Sequence, residues 1–335
     1  MQVYGIDLSK EKFDVNFIDA KGKEKNREVK NGVVSISKFL SSIPENGMLC
    51  AEHTGAYGDL LVFLSNQANI PIALVLGYTI KHSMGLVKGK SDPLDSRKIR
   101  EYGERFSDKL VFSEYDEERI VEVKQLYTLR AQLVKARKTL LTSERGRSHL
   151  PMQSVSVHNH LQSVLTGLGT EIEAVEEEIE EMIEANQDLN ENYKLVLSIK
   201  GIGPVIATDL LIKTGNFKNI DTARKAASYA GVCPFPNTSG KMVGKSRTSN
   251  FADKKLKSLL FMGAKSAVQH NKEYSLYYRK KKLEGKPHFL IMNNVSNKML
   301  RTVYSVVKNK TPYNQDHICL DPRNRNINSS SKKVA

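Results

Sequence analysis

The chain of 335 residues reads as an α/β N-terminal domain, a long helical arm and a mainly α C-terminal domain, on the strength of three patterns. Short apolar runs alternate with amphipathic stretches over about the first hundred residues. Leucines spaced by three and four recur between Leu126 and Met182, and helical periodicity with brief breaks resumes at Leu195.

Each N-terminal element has its own signal. Val3–Ile6 is a buried apolar run ending at Asp7, and Phe13–Ile18 alternates Phe13, Val15 and Phe17 with Asp14 and Asn16, as a half-buried strand does. Asp19–Lys23 is a turn, and Glu24–Val29 returns as a third antiparallel strand. After Asn31-Gly32 a helical pattern places Val34, Ile36, Phe39 and Leu40 on or near one face. Met48–Ala51 is another buried strand with Glu52 at its end, Tyr57–Gln67 is helical, Pro71–Leu76 is a strand, and Lys81–Lys90 is a polar stretch. A further helix opens at Ser91-Asp92-Pro93-Leu94-Asp95 and runs to about Phe106. Three strands, helix, strand, helix, strand, helix suits a mixed sheet covered by helices.

Four acids in this half invite a chemical reading. Asp7 and Glu52 stand at strand ends among apolar residues, where an isolated carboxylate is costly to ionise. Asp92 and Asp95, three apart, project from one side of a first helical turn, although Asp, Pro and Asp there also make a well-formed helix start. Together the four can converge as a carboxylate cluster that cations must fill, and an all-oxygen site suits Mg²⁺ or Mn²⁺. Two such ions about 4 Å apart clamp a phosphodiester, the arrangement of ribonuclease-H-like nucleases and transposases.

From Asp116 the composition shifts. Leu126, Leu129, Leu133, Ala136 and Leu140 form one apolar seam; Leu161, Leu165, Leu168, Ile172, Val175, Ile179 and Met182 form a second beyond Pro151. The first helix carries Lys124, Arg130, Lys135, Arg137 and Lys138, and the second Glu173, Glu176, Glu177, Glu178, Glu180 and Glu181. That contrast predicts an antiparallel coiled-coil arm, closed on itself or paired with a second subunit; a solvated acidic face is the alternative.

Leu195–Thr208 reads helix, glycine hairpin, helix, with Gly201 and Gly203 allowing close approach to a phosphate at the helix that begins near Pro204. This resembles the helix-hairpin-helix motif that grips a DNA backbone; a tight turn without a ligand is the alternative. Asp221–Ala230 is a short helix. Gly231–Lys241 is a loop containing Ser239, followed by Lys241, Lys245 and Arg247 and by lysines and arginines interleaved with Tyr274, Tyr277 and Tyr278. Taken alone, Ser239 is an ordinary turn serine.

The formal net charge of +14 makes a nucleic acid the expected partner. No apolar stretch spans a bilayer, no membrane association is expected, and the start lacks the pattern of a signal peptide. Cys50, Cys233 and Cys319 form no metal-ligand or disulfide pattern, which fits a reducing cytoplasm.

Gly5-Ile-Asp7-Leu-Ser-Lys10, Glu52-His-Thr-Gly55 and Lys90-Ser-Asp92-Pro-Leu-Asp95-Ser, then Ile199-Lys-Gly-Ile-Gly-Pro204, Ala230-Gly-Val-Cys-Pro234 and Thr238-Ser239-Gly240, resemble in this order the motifs of the DEDD insertion-sequence transposases, relatives of the Piv DNA invertases. The resemblance runs from about residue 1 to 310. It implies a RuvC-like, ribonuclease-H-like domain over 1–112 whose acids Asp7, Glu52, Asp92 and Asp95 bind Mg²⁺, a coiled-coil arm over 113–190, and a C-terminal transposase domain over 191–312 in which Ser239 is the DNA nucleophile. A tail, 313–335, is expected to be disordered. The resemblance also implies a homo-oligomer that joins the acids of one subunit with the serine of another, and a noncoding bridge RNA pairing with donor and target DNA. Two segments depart from the commoner pattern: Ser91 and Ser96 stand for threonine and alanine around the second pair of acids, which are both kept, and Met242–Lys257 differs from the glycine-asparagine form. Inversion rather than transposition, a metal-dependent junction nuclease, and a non-enzymatic nucleic-acid binder are the competing expectations.

Overall fold

The computed structural model describes residues 2–83, 92–115, 118–147, 149, 151–152, 154–240 and 242–314, and of Asp92, Glu118, Arg119, Val243 and Lys245 the backbone alone. The chain divides into two compact units, residues 1–116 and 117–335.

The first unit is built on a five-stranded mixed sheet. Its elements run β1 (Gln2–Leu8), β2 (Lys12–Ile18), β3 (Glu24–Lys30), α1 (Val33–Leu40), β4 (Gly47–Glu52), a 3-10 turn at Gly55–Gly58, α2 (Asp59–Gln67), β5 (Ile72–Val75), α3 (Gly77–Ser83) and α4 (Asp92–Arg105). Strand order is β3-β2-β1-β4-β5, antiparallel from β1 to β3 and parallel from β1 to β5. Alternation along the strands splits the core by face. Tyr4, Ile6, Leu8, Phe13 and Val15 meet Ile36, Phe39 and Leu61 of α1 and α2, whereas Val3, Met48 and Cys50 meet Ile80, Ile99 and Tyr102 of α3 and α4.

Two details depart from expectation. Val34 of α1 is 82 % exposed, and Ile36, Phe39 and Leu40 make the contact with the sheet. Asn16 is fully buried rather than facing water, because α4 covers that side of β2 and Arg100 Nε donates to Asn16 Oδ1 at 2.6 Å. The polar stretch expected over Lys81–Lys90 begins inside α3, which lacks a long apolar face, and its remainder lies outside the described residues.

The second unit is helical except for one hairpin. It comprises α5 (Glu118–Arg147), α6 (Val155–Glu184), α7 (Gln187–Leu197), α8 (Pro204–Thr214), α9 (Ala223–Tyr229), β6 (Phe235–Ser239), β7 (Met242–Arg247), α10 (Lys254–His270), α11 (Lys272–Leu283) and α12 (His288–Asn309). Helices α5 and α6 lie antiparallel: Glu144 near the end of α5 accepts from Gln162 Nε2 at 2.5 Å, and Arg130 in its middle pairs with Glu176 at 2.5 Å.

The α5 seam differs from the leucine pattern. Leu129 and Ala136 are exposed, whereas Ile120, Val123 and Tyr127 are buried, because Tyr127 also packs on α8, donating to the Val205 carbonyl at 3.5 Å. On α6 Leu165, Val175 and Ile179 are buried as expected, with Ile183 in addition, and Glu173, Glu177, Glu178 and Glu181 face water. The segment expected as a loop before Lys241 contains β6, which pairs antiparallel with β7. Pro236 falls where the register shifts between Phe235 and Asn237, so its missing N–H does not interrupt the ladder. Every residue of β6 is exposed, which removes the apolar alternation that identifies a strand in sequence.

Candidate active site and nucleic-acid surface

Asp7 and Glu52 lie at the C-terminal ends of two adjacent parallel strands. The last recorded pair is Ile6 with Ala51, and one step further along both strands sets Asp7 beside Glu52 on the same face. Carboxyl ends of parallel strands are where open α/β sheets place ligand sites. The face is the one covered by α4. A Cβ on Gly5, two residues before Asp7, would lie 2.3 Å from the Ser96 carbonyl oxygen and 2.2 Å from the Arg100 amide nitrogen, so only glycine lets α4 cross so closely. Ser96 and Ile99 are buried under this crossing, and Asp92 and Asp95 precede them by one helical turn.

Cross-strand register adds an acid that sequence reasoning assigned to an ordinary strand face. Asp14 of β2 stands directly opposite Asp7, so Asp14, Asp7 and Glu52 run abreast across three strands. Their only prior signal was antiparallel pairing around a short turn. Gly77, at the start of α3, was also unmarked: a Cβ there would fall 2.0 Å from Glu52 Oε1, so the missing side chain leaves the space the carboxylate occupies. Asp95 accepts from Lys98 Nζ at 2.8 Å, one turn along α4. Among the described residues no three Asp, Glu, His or Cys side chains are close enough to hold a metal, and the side chain of Asp92 lies outside them. The donor chemistry nevertheless fits a hard divalent cation, because every candidate ligand is a carboxylate oxygen.

In the second unit, the turn between α7 and α8 contains both glycines. Gly201 has φ +100°, and a Cβ there would meet the Gly263 carbonyl oxygen at 2.6 Å and the Ala267 Cβ at 2.7 Å on α10. Packing thus accounts for Gly201. Gly203 has φ −104° and nothing within 4 Å of a built Cβ, so neither strain nor packing demands glycine there. It is the residue before Pro204 at the N-terminus of α8.

Ser239 ends β6, paired with Met242 at the start of β7 and followed by the turn residue Gly240. Lys241 lies outside the described residues, and so does the side chain of Lys245. Arg247 pairs with Phe235 at the other end of the hairpin, four residues and about 13 Å along the strand from Ser239. Within one hairpin the two do not meet, and both are exposed.

The second unit also contains a buried charge cluster. Asp209 of α8 is fully buried, and neither carboxylate oxygen has a hydrogen bond among the described residues. Lys255 Nζ stands 3.9 Å and Lys213 Nζ 4.0 Å away. Burial pushes the Asp209 carboxyl above its ordinary range, and Lys213, the nearby Tyr127 hydroxyl and Lys255 offset only part of the effect. Burial would also raise Asp253, but the hydrogen bond from Lys213 and the Leu256 amide hold it below the ordinary value. Tyr229 donates to Asp253 at 3.3 Å, and burial pushes its phenol up to about 12. Asp253 caps α10, the helix that follows β7.

A mixed sheet carrying a row of acids, followed by basic helices, defines a protein that performs chemistry on a polyanion. The comparisons with known proteins give that class its family. A model of DEDD transposases matches residues 4–170, and that of the transposase IS116/IS110/IS902 family matches residues 193–279. The pilin gene-inverting protein of Moraxella lacunata is 24 % identical over 321 residues, 93 % of this chain and 97 % of that protein. The transposase for insertion sequence element IS1111A of Coxiella burnetii is 25 % identical over 301 residues, 81 % of this chain and 79 % of that protein. The chain belongs to the IS110/IS116 family of DEDD transposases, and its activity is that of a DNA transposase or recombinase. Among the described residues no helix is long and apolar enough to cross a membrane.

Proposed function

We propose that the chain catalyses strand exchange on the DNA of an insertion sequence through a serine-linked intermediate. The observation that carries the reading is the pair Asp7 and Glu52 at the carboxyl ends of adjacent parallel strands, with Asp14 opposite Asp7 near the start of the antiparallel β2, beneath the helix that brings Asp92 and Asp95. Like charges placed directly opposite one another destabilise a sheet unless cations offset them. Asp7, Glu52, Asp92 and Asp95 would hold Mg²⁺ or Mn²⁺ on a RuvC-like scaffold, where the ion supplies charge neutralisation at a phosphodiester.

Ser239 is the nucleophile in this reading. Its position as the last residue of the exposed strand β6, beside the close of the hairpin, suits entry into a nucleic-acid groove. Its Oγ attacks phosphorus, the bond to the leaving deoxyribose oxygen breaks, and that oxygen takes up the proton released by the serine. Bond energy is kept in the phosphoserine link, so rejoining needs no nucleotide cofactor. By its sequence position, two residues from Ser239, Lys241 would offset charge on the phosphorane, and Lys245 and Arg247 would contact the DNA backbone further along. The turn around Gly201 and Gly203 acts as a helix-hairpin-helix grip, with Gly203 the point of closest approach. Helices α5 and α6 form a coiled-coil arm that joins subunits into an oligomer, and a bridge RNA selects the two DNA sites. The domain limits are 1–112, 113–190 and 191–312, with 313–335 a tail.

The test is a denaturing gel of labelled element-junction DNA incubated with protein, Mg²⁺ and the RNA encoded beside the gene. A covalent protein–DNA species should form with wild type and vanish with Asp7→Asn and Ser239→Ala. Cleavage without an adduct, unaffected by Ser239→Ala, would instead establish a water-using nuclease. Inversion in place of transposition is read from the product joints.

A further inference from the structure

The start of α12 carries two exposed aromatic residues, His288 and Phe289, and Phe289 is 74 % exposed. Their rings are held from behind. Phe261 of α10 stacks with Phe289 at 5.9 Å between centroids and 26° between planes, and His288 meets both edge-on at 6.3 and 5.4 Å. The Tyr278 hydroxyl of α11 shares a hydrogen bond with His288 Nδ1 at 2.9 Å. The cluster therefore presents a fixed π surface to solvent. Lys282, one turn beyond Tyr278, and Lys286, two residues before His288, are exposed and make no ion pair among the described residues. Lys281 between them is taken by Glu284.

Flat apolar rings in a stretch with exposed lysines match a partner that offers both flat rings and negative charge. A duplex hides its base faces in the stack, whereas an unpaired strand exposes them, and stacking on aromatic side chains is how proteins hold such strands. Exposed lysines are a poor match for an apolar peptide. We propose that Phe289 and His288 form a stacking platform for unpaired bases of a single-stranded nucleic acid, with Lys282 and Lys286 on its phosphates. This rests on the reading that the chain acts on nucleic acid, and it assigns the part of the surface that meets unpaired nucleotides.

The experiment is fluorescence anisotropy without Mg²⁺, using the full chain and 12-nucleotide oligo-U, 12-nucleotide oligo-dT and a 12-base-pair duplex. Phe289→Ala should weaken single-strand binding about tenfold or more, the loss expected for one stacked base. Phe289→Trp should restore it, His288→Ala should weaken it less, and duplex binding should change less than about twofold. Loss on both single strands assigns the platform to any unpaired strand, and loss on oligo-U alone assigns it to RNA. Single-strand binding that survives Phe289→Ala, or an equal loss on duplex, overturns the proposal. So does a change of assembly mass in light scattering with Phe289→Ala, which would make the patch an interface between copies. Because this readout needs no cleavage, protein that forms no adduct yet loses single-strand binding with Phe289→Ala would sink the serine mechanism and keep the platform.

Discussion

At the scale of single residues, space and burial decide more than residue type. Gly77 leaves the volume that the Glu52 carboxylate fills, and the atom a new Cβ would strike is the end of a flexible side chain. Gly77→Ala should therefore displace Glu52 while costing the fold less than about 1 kcal/mol. Strand transfer should fall by about tenfold or more and recover in part at high Mg²⁺, with an unchanged melting temperature; full activity at limiting Mg²⁺ would remove Glu52 from the site. Asp209 illustrates burial. Its carboxyl is raised, so the folded protein holds a proton that the unfolded chain has already released, and this group's contribution to stability falls as pH rises through that window. Asp209→Asn removes the effect and leaves Lys213 with Asp253. The variant should gain on wild type as pH rises above the ordinary carboxylate range, where the unfolded chain has lost this proton and the folded protein still holds it. Melting temperatures that run parallel over that rise in pH would show that Asp209 is not raised.

At the scale of elements, the two glycines between α7 and α8 look alike in the sequence Lys200-Gly-Ile-Gly-Pro204 but stand in different surroundings. Gly201→Ala forces a left-handed residue and drives a methyl into the backbone of α10, so it should cost the second unit about 3 kcal/mol or more in urea unfolding. Gly203→Ala meets nothing, should change stability by less than about 1 kcal/mol, and should still weaken DNA binding; equal effects from both would reduce the motif to a tight turn. The strands and most helices were legible because their apolar spacing is local: Phe13 and Val15, or Ile36 and Phe39, report their own burial. What stayed hidden depends on partners distant in sequence. Asn16 reads as a solvent-facing residue until Arg100 arrives from α4. Leu129 fits a heptad, but Tyr127 must also satisfy α8 and so turns the buried face of α5. Asp7, Glu52, Asp92 and Asp95 were singled out from residue type and position, whereas the place of Asp14 opposite Asp7 needed strand register, and the exposed β6 had no apolar signal to read.

At the scale of the whole molecule, a formal net charge of +14 requires that DNA affinity be dominated by released counterions. If six to ten phosphates are neutralised, the logarithm of the binding constant should fall linearly with that of salt with a slope of about −5 to −9, losing about 10³-fold or more between 50 and 200 mM. The slope separates two kinds of contact that a single affinity confuses. Arg247, exposed on β7, contributes a cation, so Arg247→Ala should lower affinity and make the slope shallower by about 1. In the proposed helix-hairpin-helix grip, Gly203 would contribute only close approach of backbone amides, which carry no net charge and release no counterion. Gly203→Ala should therefore shift the whole line downward without tilting it. Anisotropy titrations of a duplex from 50 to 300 mM KCl decide the matter: a slope near zero in wild type would mean that the basic surface faces something other than DNA, and a tilt with Gly203→Ala would mean that the turn acts by holding nearby lysines instead of by touching phosphate.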